Sequence, residues 1–378
     1  MSTLLLNRRQ WLKAAGATLA ATALAPRMQL QAQAQAPVPR RAAPPVEPGM
    51  IQLSWNENPF GPAPSAQAAM IAAVPLSCRY PDAEEHALLE LIAAKEGCSP
   101  NQIVMGSGSG EILDVAGFHF GYEKGEIISA DPSYMQLVNA AEKAGGRAVR
   151  VPLNARLEHD LPAMAAAVGP KTSLIYLVNP NNPTGTVCAA AELREFVKTV
   201  SARVPVFIDE AYLECTDNFA ERTCAPLSVA GHNVVVARTF SKIYGMAGCR
   251  LGYAVMPEKL ATSLRARMTG SLSLVTIEAA LASLRDTAYV SATRAKIKAG
   301  RDAFVAEVKA MGKDYAVPQG NFVFFKTGMP IKDFIVKMRA EGVIVGRAFP
   351  PLLDWARVTI GLPHEMEVCH RAMRKVLG

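Results

Sequence analysis

From about Asn101 onward, short apolar runs alternate with stretches of helical period, and a cluster of polar or small residues follows each run. Gln102-Ile103-Val104-Met105 leads into Gly106-Ser107-Gly108-Ser109-Gly110, and Glu126-Ile127-Ile128-Ser129-Ala130 leads into Asp131-Pro132-Ser133-Tyr134. Residues 173–178 lead into Asn179-Pro180-Asn181-Asn182-Pro183-Thr184-Gly185, residues 204–208 into Asp209-Glu210, and residues 234–237 into Arg238-Thr239-Phe240-Ser241-Lys242. Runs this apolar are strands covered on both faces, so the pattern predicts an α/β fold with a mainly parallel sheet between helices. Ligands of such sheets collect beyond the strand C-terminal ends, which places all five polar clusters on one edge. After about Thr269 long helical stretches precede two further apolar runs, 321–325 and 356–360. We therefore expect a large domain over 61–270 and a smaller α+β domain over 271–378.

The N-terminus reads differently. Asn7-Arg8-Arg9-Gln10-Trp11-Leu12-Lys13 stands before an Ala- and Leu-rich run, the pattern of a twin-arginine export signal over residues 1–36. Residues 37–60 then form a Pro-rich linker and N-terminal arm. The expected location is the periplasm. The formal charge of +7 falls to about +3 once Arg8, Arg9, Lys13 and Arg27 leave with the signal. With no basic stripe interleaved with aromatics, nucleic-acid binding is disfavoured. The seven cysteines include no Cys-x-x-Cys pair, which disfavours zinc and thioredoxin-type chemistry.

Lys242 follows a buried strand, where loss of hydration lowers an amine's proton affinity and frees it to attack an aldehyde. Asp209 ends another such strand, and its carboxylate needs a cation there, such as a protonated pyridine nitrogen, unless it serves as a helix cap or a structural ion pair. Ser109 and the backbone N–H groups of 106–111 stand before a helix expected to start at Glu111, an arrangement that holds phosphate. Thr239, Ser241 and Arg250 add donors for the same group. A dinucleotide site is the rival reading of Gly106 to Gly110, with Asp131 as ribose ligand. The glycine spacing is wrong for it, and it leaves Asn182, Asp209 and Lys242 unexplained.

Taken together, Asn179 to Gly185, Asp209-Glu210-Ala211-Tyr212, Arg238 to Lys242 and Gly245-Met246-Ala247-Gly248-Cys249-Arg250-Leu251-Gly252-Tyr253 resemble the fold-type I aminotransferases dependent on pyridoxal 5′-phosphate (PLP). The similarity is strongest to the histidinol-phosphate aminotransferase group. It runs from Asn56-Glu57-Asn58-Pro59-Phe60-Gly61-Pro62 and Tyr80-Pro81-Asp82 to Arg357-Val358-Thr359-Ile360-Gly361.

The resemblance implies that Lys242 holds the cofactor as a Schiff base, with Asp209 on its pyridine nitrogen. Asn182 and Tyr212 then meet the ring hydroxyl, and Tyr134 stacks on the ring. Ser109, Gly110, Thr239, Ser241 and Arg250 hold the phosphate, joined by Tyr80 from a neighbouring subunit, hence a homodimer. Arg357 grips the substrate α-carboxylate, Arg347 lies near the distal group, and Asn58 is a further substrate contact. Lys242, Asp209 and Tyr212 are the expected catalytic residues, and transamination between an amino acid and a 2-oxo acid the expected reaction. Decarboxylation or elimination on the same cofactor is the alternative, and an exported solute-binding protein a remote one. The chain departs from the family at Gly110, where many relatives carry an acidic residue, and at Ser271-Leu272-Ser273-Leu274. Export also weighs against histidinol phosphate as substrate.

Overall fold

The structure, a computed structural model, describes residues 47–378. The expected signal at 1–36 and the first part of the linker lie outside the described residues.

The seven-stranded sheet uses β2 (Ile103–Gly106), β3 (Glu126–Asp131), β4 (Arg147–Pro152), β5 (Thr172–Val178), β6 (Val206–Asp209), β7 (Val234–Thr239) and β8 (Gly252–Val255), in the order β2-β8-β7-β6-β5-β3-β4. Strand alternation explains the continuous apolar runs. Along β5, Leu174, Tyr176 and Val178 enter one core cluster while Ile175 and Leu177 enter the cluster on the other face. Both sides are covered, so both phases of the strand are apolar.

Only β8 runs against its neighbours, β2 and β7, and the remaining pairs are parallel. Being antiparallel to the same strand, β2 and β7 point the same way. The C-terminal ends of β2, β3, β5, β6 and β7 therefore share one edge, as the pattern predicts. The edge strand β4 and the short β8 escaped the sequence reading. The two arginines of Arg147-Ala148-Val149-Arg150 interrupt the apolar run and hide the first, and the polar loop before Gly252 hides the second.

A smaller layer pairs β9 (Phe322–Lys326) with β11 (Trp355–Thr359), antiparallel, beside the helices Thr287–Ala310, Ile331–Ala340 and Pro363–Leu377. Its core gathers Phe304, Val323, Phe325, Phe334, Val358 and Met373. Two segments differ from the expected division. Ile51–Leu53, within the expected arm, is strand β1, pairing parallel with β10 (Val343–Val345) of the C-terminal part. The helix Leu274–Arg285 packs its Ile277, Ala280 and Leu281 among Leu88, Ile92, Phe240 and Tyr253. Helical period reveals an apolar face but not which layer receives it.

Candidate active site

The shared strand edge, the loop after β1 and the loop after β10 enclose a cleft of about 990 Å³. Ser109, Gly110, Tyr134, Asn182, Asp209, Tyr212, Thr239, Ser241, Lys242, Arg250, Arg347 and Arg357 all line it. Asn58 does not: its Nδ2 donates to the Ile243 carbonyl at 2.8 Å, and its Oδ1 accepts from Phe60 N at 3.0 Å. Both ends of that side chain brace the backbone, and Asn56, two residues earlier, faces the cleft instead. Tyr80 lies outside the cleft of its own chain and is 92% exposed.

At one end the helix Ser109–Gly121 begins, two residues earlier than expected, so Ser109 and Gly110 stand in its first turn. Gly108 precedes it with φ +82°, and a Cβ there would lie 2.2 Å from Arg250 Nη2. Only glycine permits both that backbone and the close guanidinium. Arg250 Nη1 donates to Ser241 Oγ at 3.4 Å, and Thr239 Oγ1 accepts from Ser241 N at 3.1 Å. Hydroxyls, a guanidinium and the positive end of a helix thus converge, the donor set of a phosphate.

In the middle, Asp209 ends β6 and Lys242 follows the adjacent strand β7. Asp209 is 3% exposed and accepts from Ala211 N at 3.1 Å, yet forms no ion pair among the described residues. Burial pushes its carboxyl up to about 6, against the partial relief given by that N–H and by Lys242. An acid so placed calls for a cation in the cleft. Lys242 Nζ donates to the Trp55 carbonyl at 3.3 Å and sits 5.4 Å from the Tyr212 ring centroid. Its surroundings, with the positive charge of Arg357, lower the amine to about 8. Tyr212 Oη accepts from Asn56 Nδ2 at 3.1 Å and Asn182 Nδ2 at 3.4 Å, which leaves its own proton for a group in the cleft.

At the far end Arg357 is 8% exposed with no carboxylate partner among the described residues. It donates from Nη1 to Asn182 Oδ1 at 2.6 Å and from Nη2 to the Ser54 carbonyl, while Nε is buried without a partner. Three of its five N–H groups therefore remain for a ligand. Strand alternation does what was expected of it, sending Val358 and Ile360 into the core and Arg357 into the cleft. The guanidinium carbons of Arg347 and Arg357 lie 4.4 and 5.0 Å from the Phe349 ring centroid.

The sequence reading missed Ser54, Trp55, Asn56, Glu111, Asp114, Gln136 and Phe349. One signal was available for Asn56, a polar residue just after an apolar strand, inside a recognised motif. PLP fits this donor set: a phosphate cradle, a buried acid for a pyridine nitrogen, an amine for an aldehyde, and a phenol with an amide for a ring hydroxyl.

The sequence matches the family "Aminotransferase class I and II" over residues 48–376. It is 37% identical over 332 residues to a histidinol-phosphate aminotransferase of Moorella thermoacetica, covering 87% of this chain and 86% of that protein. Among solved structures, one from Erwinia carotovora shares 31% identity with a TM-score of 0.82 over 86% of this chain and 95% of its own. The histidinol-phosphate aminotransferase of Sinorhizobium meliloti, solved with pyridoxal-5'-phosphate, shares 27% identity with a TM-score of 0.79 over 86% and 90%. A class-wide match that spans both the sheet edge and Arg357 leaves one assignment for the cleft: the chain belongs to the aminotransferase class I and II family and is a PLP-dependent aminotransferase.

Proposed function

We propose that this aminotransferase acts on α-amino acids and 2-oxo acids, with Lys242 as its anchoring amine and base and Arg357 as its carboxylate clamp. The observation that carries the reading is the placement of two desolvated groups, Lys242 and Asp209, on neighbouring strand ends between a phosphate cradle and an unpaired guanidinium. Bound PLP supplies an aldehyde that captures amines and a protonated ring that draws electrons from the substrate Cα–H bond. Asp209 keeps the ring nitrogen protonated. Asn182 and Tyr212 orient the ring through its hydroxyl, and Arg250, Ser109, Gly110, Thr239 and Ser241 fix the phosphate. Lys242 Nζ, with proton affinity already lowered, takes the proton from the substrate Cα and returns it during the exchange.

The relatives are named for histidinol phosphate. The twin-arginine pattern of residues 1–36 favours an exported, periplasmic enzyme and a different amino donor. A cofactor taken up before export suits a route that carries folded proteins. The exposure of Tyr80 favours a homodimer in which that residue completes the neighbour's phosphate site.

The test is a panel of amino donors mixed with the purified holoenzyme, reading loss of the visible cofactor band and keto-acid formation by mass spectrometry. Turnover requiring a 2-oxo acid supports transamination. Release of ammonia or carbon dioxide without one overturns it in favour of a lyase or decarboxylase. Replacing Arg8 and Arg9 by lysine and fractionating cells tests the export reading, and sedimentation of Tyr80→Ala together with its cofactor affinity tests the shared site.

A further inference from the structure

Tyr134 reaches the cleft from the loop after β3, 38% exposed, and Gln136 holds it there. The Tyr134 hydroxyl donates to Gln136 Oε1 at 2.7 Å. Gln136 Nε2 donates to Asp114 Oδ2 at 2.9 Å and to the Gly110 carbonyl at 3.0 Å. A backbone carbonyl can only accept, so the amide's NH2 must face Gly110, and its oxygen is left for the phenol. Burial, with the nearby charges of Asp209 and Asp114 and the Tyr212 phenol, pushes the Tyr134 phenol up to about 12, so the group stays a proton donor.

Glycine at 110 lets the Gln136 amide approach without crowding. A Cβ at Gly110 would meet Gln136 Nε2 at 3.1 Å and Oε1 at 3.3 Å. The amide of Gln136, at the start of the helix Gln136–Lys143, sits beside Gly110, ties the helix Ser109–Gly121 to the Tyr134 loop, and takes the phenol proton onto its own oxygen.

We propose that Gln136 is a positioning residue for the cofactor: anchored to Asp114 and Gly110, it fixes the Tyr134 ring by holding the Tyr134 hydroxyl on its own amide oxygen. The proposal rests on the reading of Tyr134 as the residue that faces the cofactor ring. Gly110 and Gln136 are in close approach, and a side chain at 110 crowds the amide.

The experiment is a double-mutant cycle of Gln136→Leu and Tyr134→Phe, reading the PLP dissociation constant and the position of the visible band. Gln136→Leu is expected to weaken PLP about fivefold and shift the band in the wild-type background, and to do neither beside Tyr134→Phe. An equal change in both backgrounds overturns the role of Gln136. If Tyr134→Phe and Tyr134→Ala alone leave both readouts unchanged, the reading of Tyr134 fails instead. Gln136→Glu guards against a folding defect: protonated, it keeps the acceptor for the phenol and one of the two donated bonds, and ionised beside Asp114 and the Gly110 carbonyl it is repelled. Its PLP affinity should lie nearest wild type at low pH and fall further behind as pH rises, and a pH profile parallel to wild type overturns the proposal.

Discussion

Arg357 Nη1 donates to Asn182 Oδ1 at 2.6 Å, and the same amide donates from Nδ2 to the Tyr212 hydroxyl at 3.4 Å. One side chain thus joins a strand of the C-terminal layer to two loops of the main sheet. On the proposed reading, a carboxylate drawn to Arg357 would be registered, through Asn182, against the Tyr212 hydroxyl. The third link is Asn56, whose Nδ2 meets Tyr212 at 3.1 Å and whose Oδ1 accepts from Thr359 Oγ1 at 3.1 Å. The cleft is therefore braced across its width by neutral amides and hydroxyls, which leaves its charged groups for ligands.

Arg357→Lys keeps the charge and loses the planar fork, along with the bond to Asn182. The expected result is a fall of about 10² to 10³ in kcat/KM for α-amino acids, roughly 3 to 4 kcal/mol of transition-state binding. Amines that lack an α-carboxylate should be turned over equally by both proteins. Steady-state kinetics with the two donor types check this, and equal losses on both would remove Arg357 from carboxylate recognition.

Much of this site was legible because strand ends carry it. Asp209, Lys242, Asn182 and Ser109 each follow an apolar run, and burial on both faces makes such runs visible in sequence. Arg357 was legible by alternation within its own strand. Asp114 and Gln136 were not, because they act through a side-chain pairing that only the fold reveals, and Asn56, though inside a recognised motif, shows its role only through its distant partners Thr359 and Tyr212. Strand β1 was hidden for the same reason. Three residues long, its pairing with Val343–Val345 spans nearly the whole chain, and a proline-rich neighbourhood suggested only a linker.

Gly108→Ala tests the phosphate cradle. The new Cβ meets Arg250 Nη2 at 2.2 Å, and the guanidinium, being the end of a flexible side chain, moves aside. The backbone at φ +82°, ψ 160° lies in a region essentially reserved for glycine and adds strain of about 1 to 3 kcal/mol. PLP should bind about tenfold or more weakly, while pyridoxal, which lacks the phosphate, binds both proteins alike. Titration of the cofactor-free protein with each compound reads the difference.

Asp209→Asn tests whether the buried acid awaits a cation. In the cofactor-free protein the folded-state value of about 6 lies above the ordinary 3.8. An acid raised on folding favours the folded state while protonated, and that contribution is lost as pH rises from about 4 to about 6. The cofactor-free variant should melt with the wild type near pH 4 and above it by several degrees from pH 6 upward, on the order of 3 kcal/mol. With PLP added the order reverses, since the asparagine cannot hold the ring nitrogen protonated and turnover falls by orders of magnitude. Thermal melts with and without PLP across this pH range decide it.

Lys242 carries the last prediction, because its chemistry depends on being neutral. With the amine lowered from 10.5 to about 8, its neutral fraction at pH 7 exceeds that of an ordinary lysine by about 300-fold. Covalent capture of the cofactor aldehyde by the cofactor-free protein should therefore speed up as pH rises and level off just above pH 8. A surface lysine would keep accelerating to beyond pH 10. Burial is the larger cause of the lowering and the positive charge of Arg357 the next, so Arg357→Ala should move the plateau upward without abolishing it. Lys242→Ala should give no visible band at any pH and lose more than about 10³ in turnover while remaining folded, since removing a buried amine also removes its desolvation cost. Stopped-flow absorbance against pH for the three proteins reads this directly. A wild-type rate still climbing at pH 10, or a persistent band in Lys242→Ala, would assign the reactive amine to another residue.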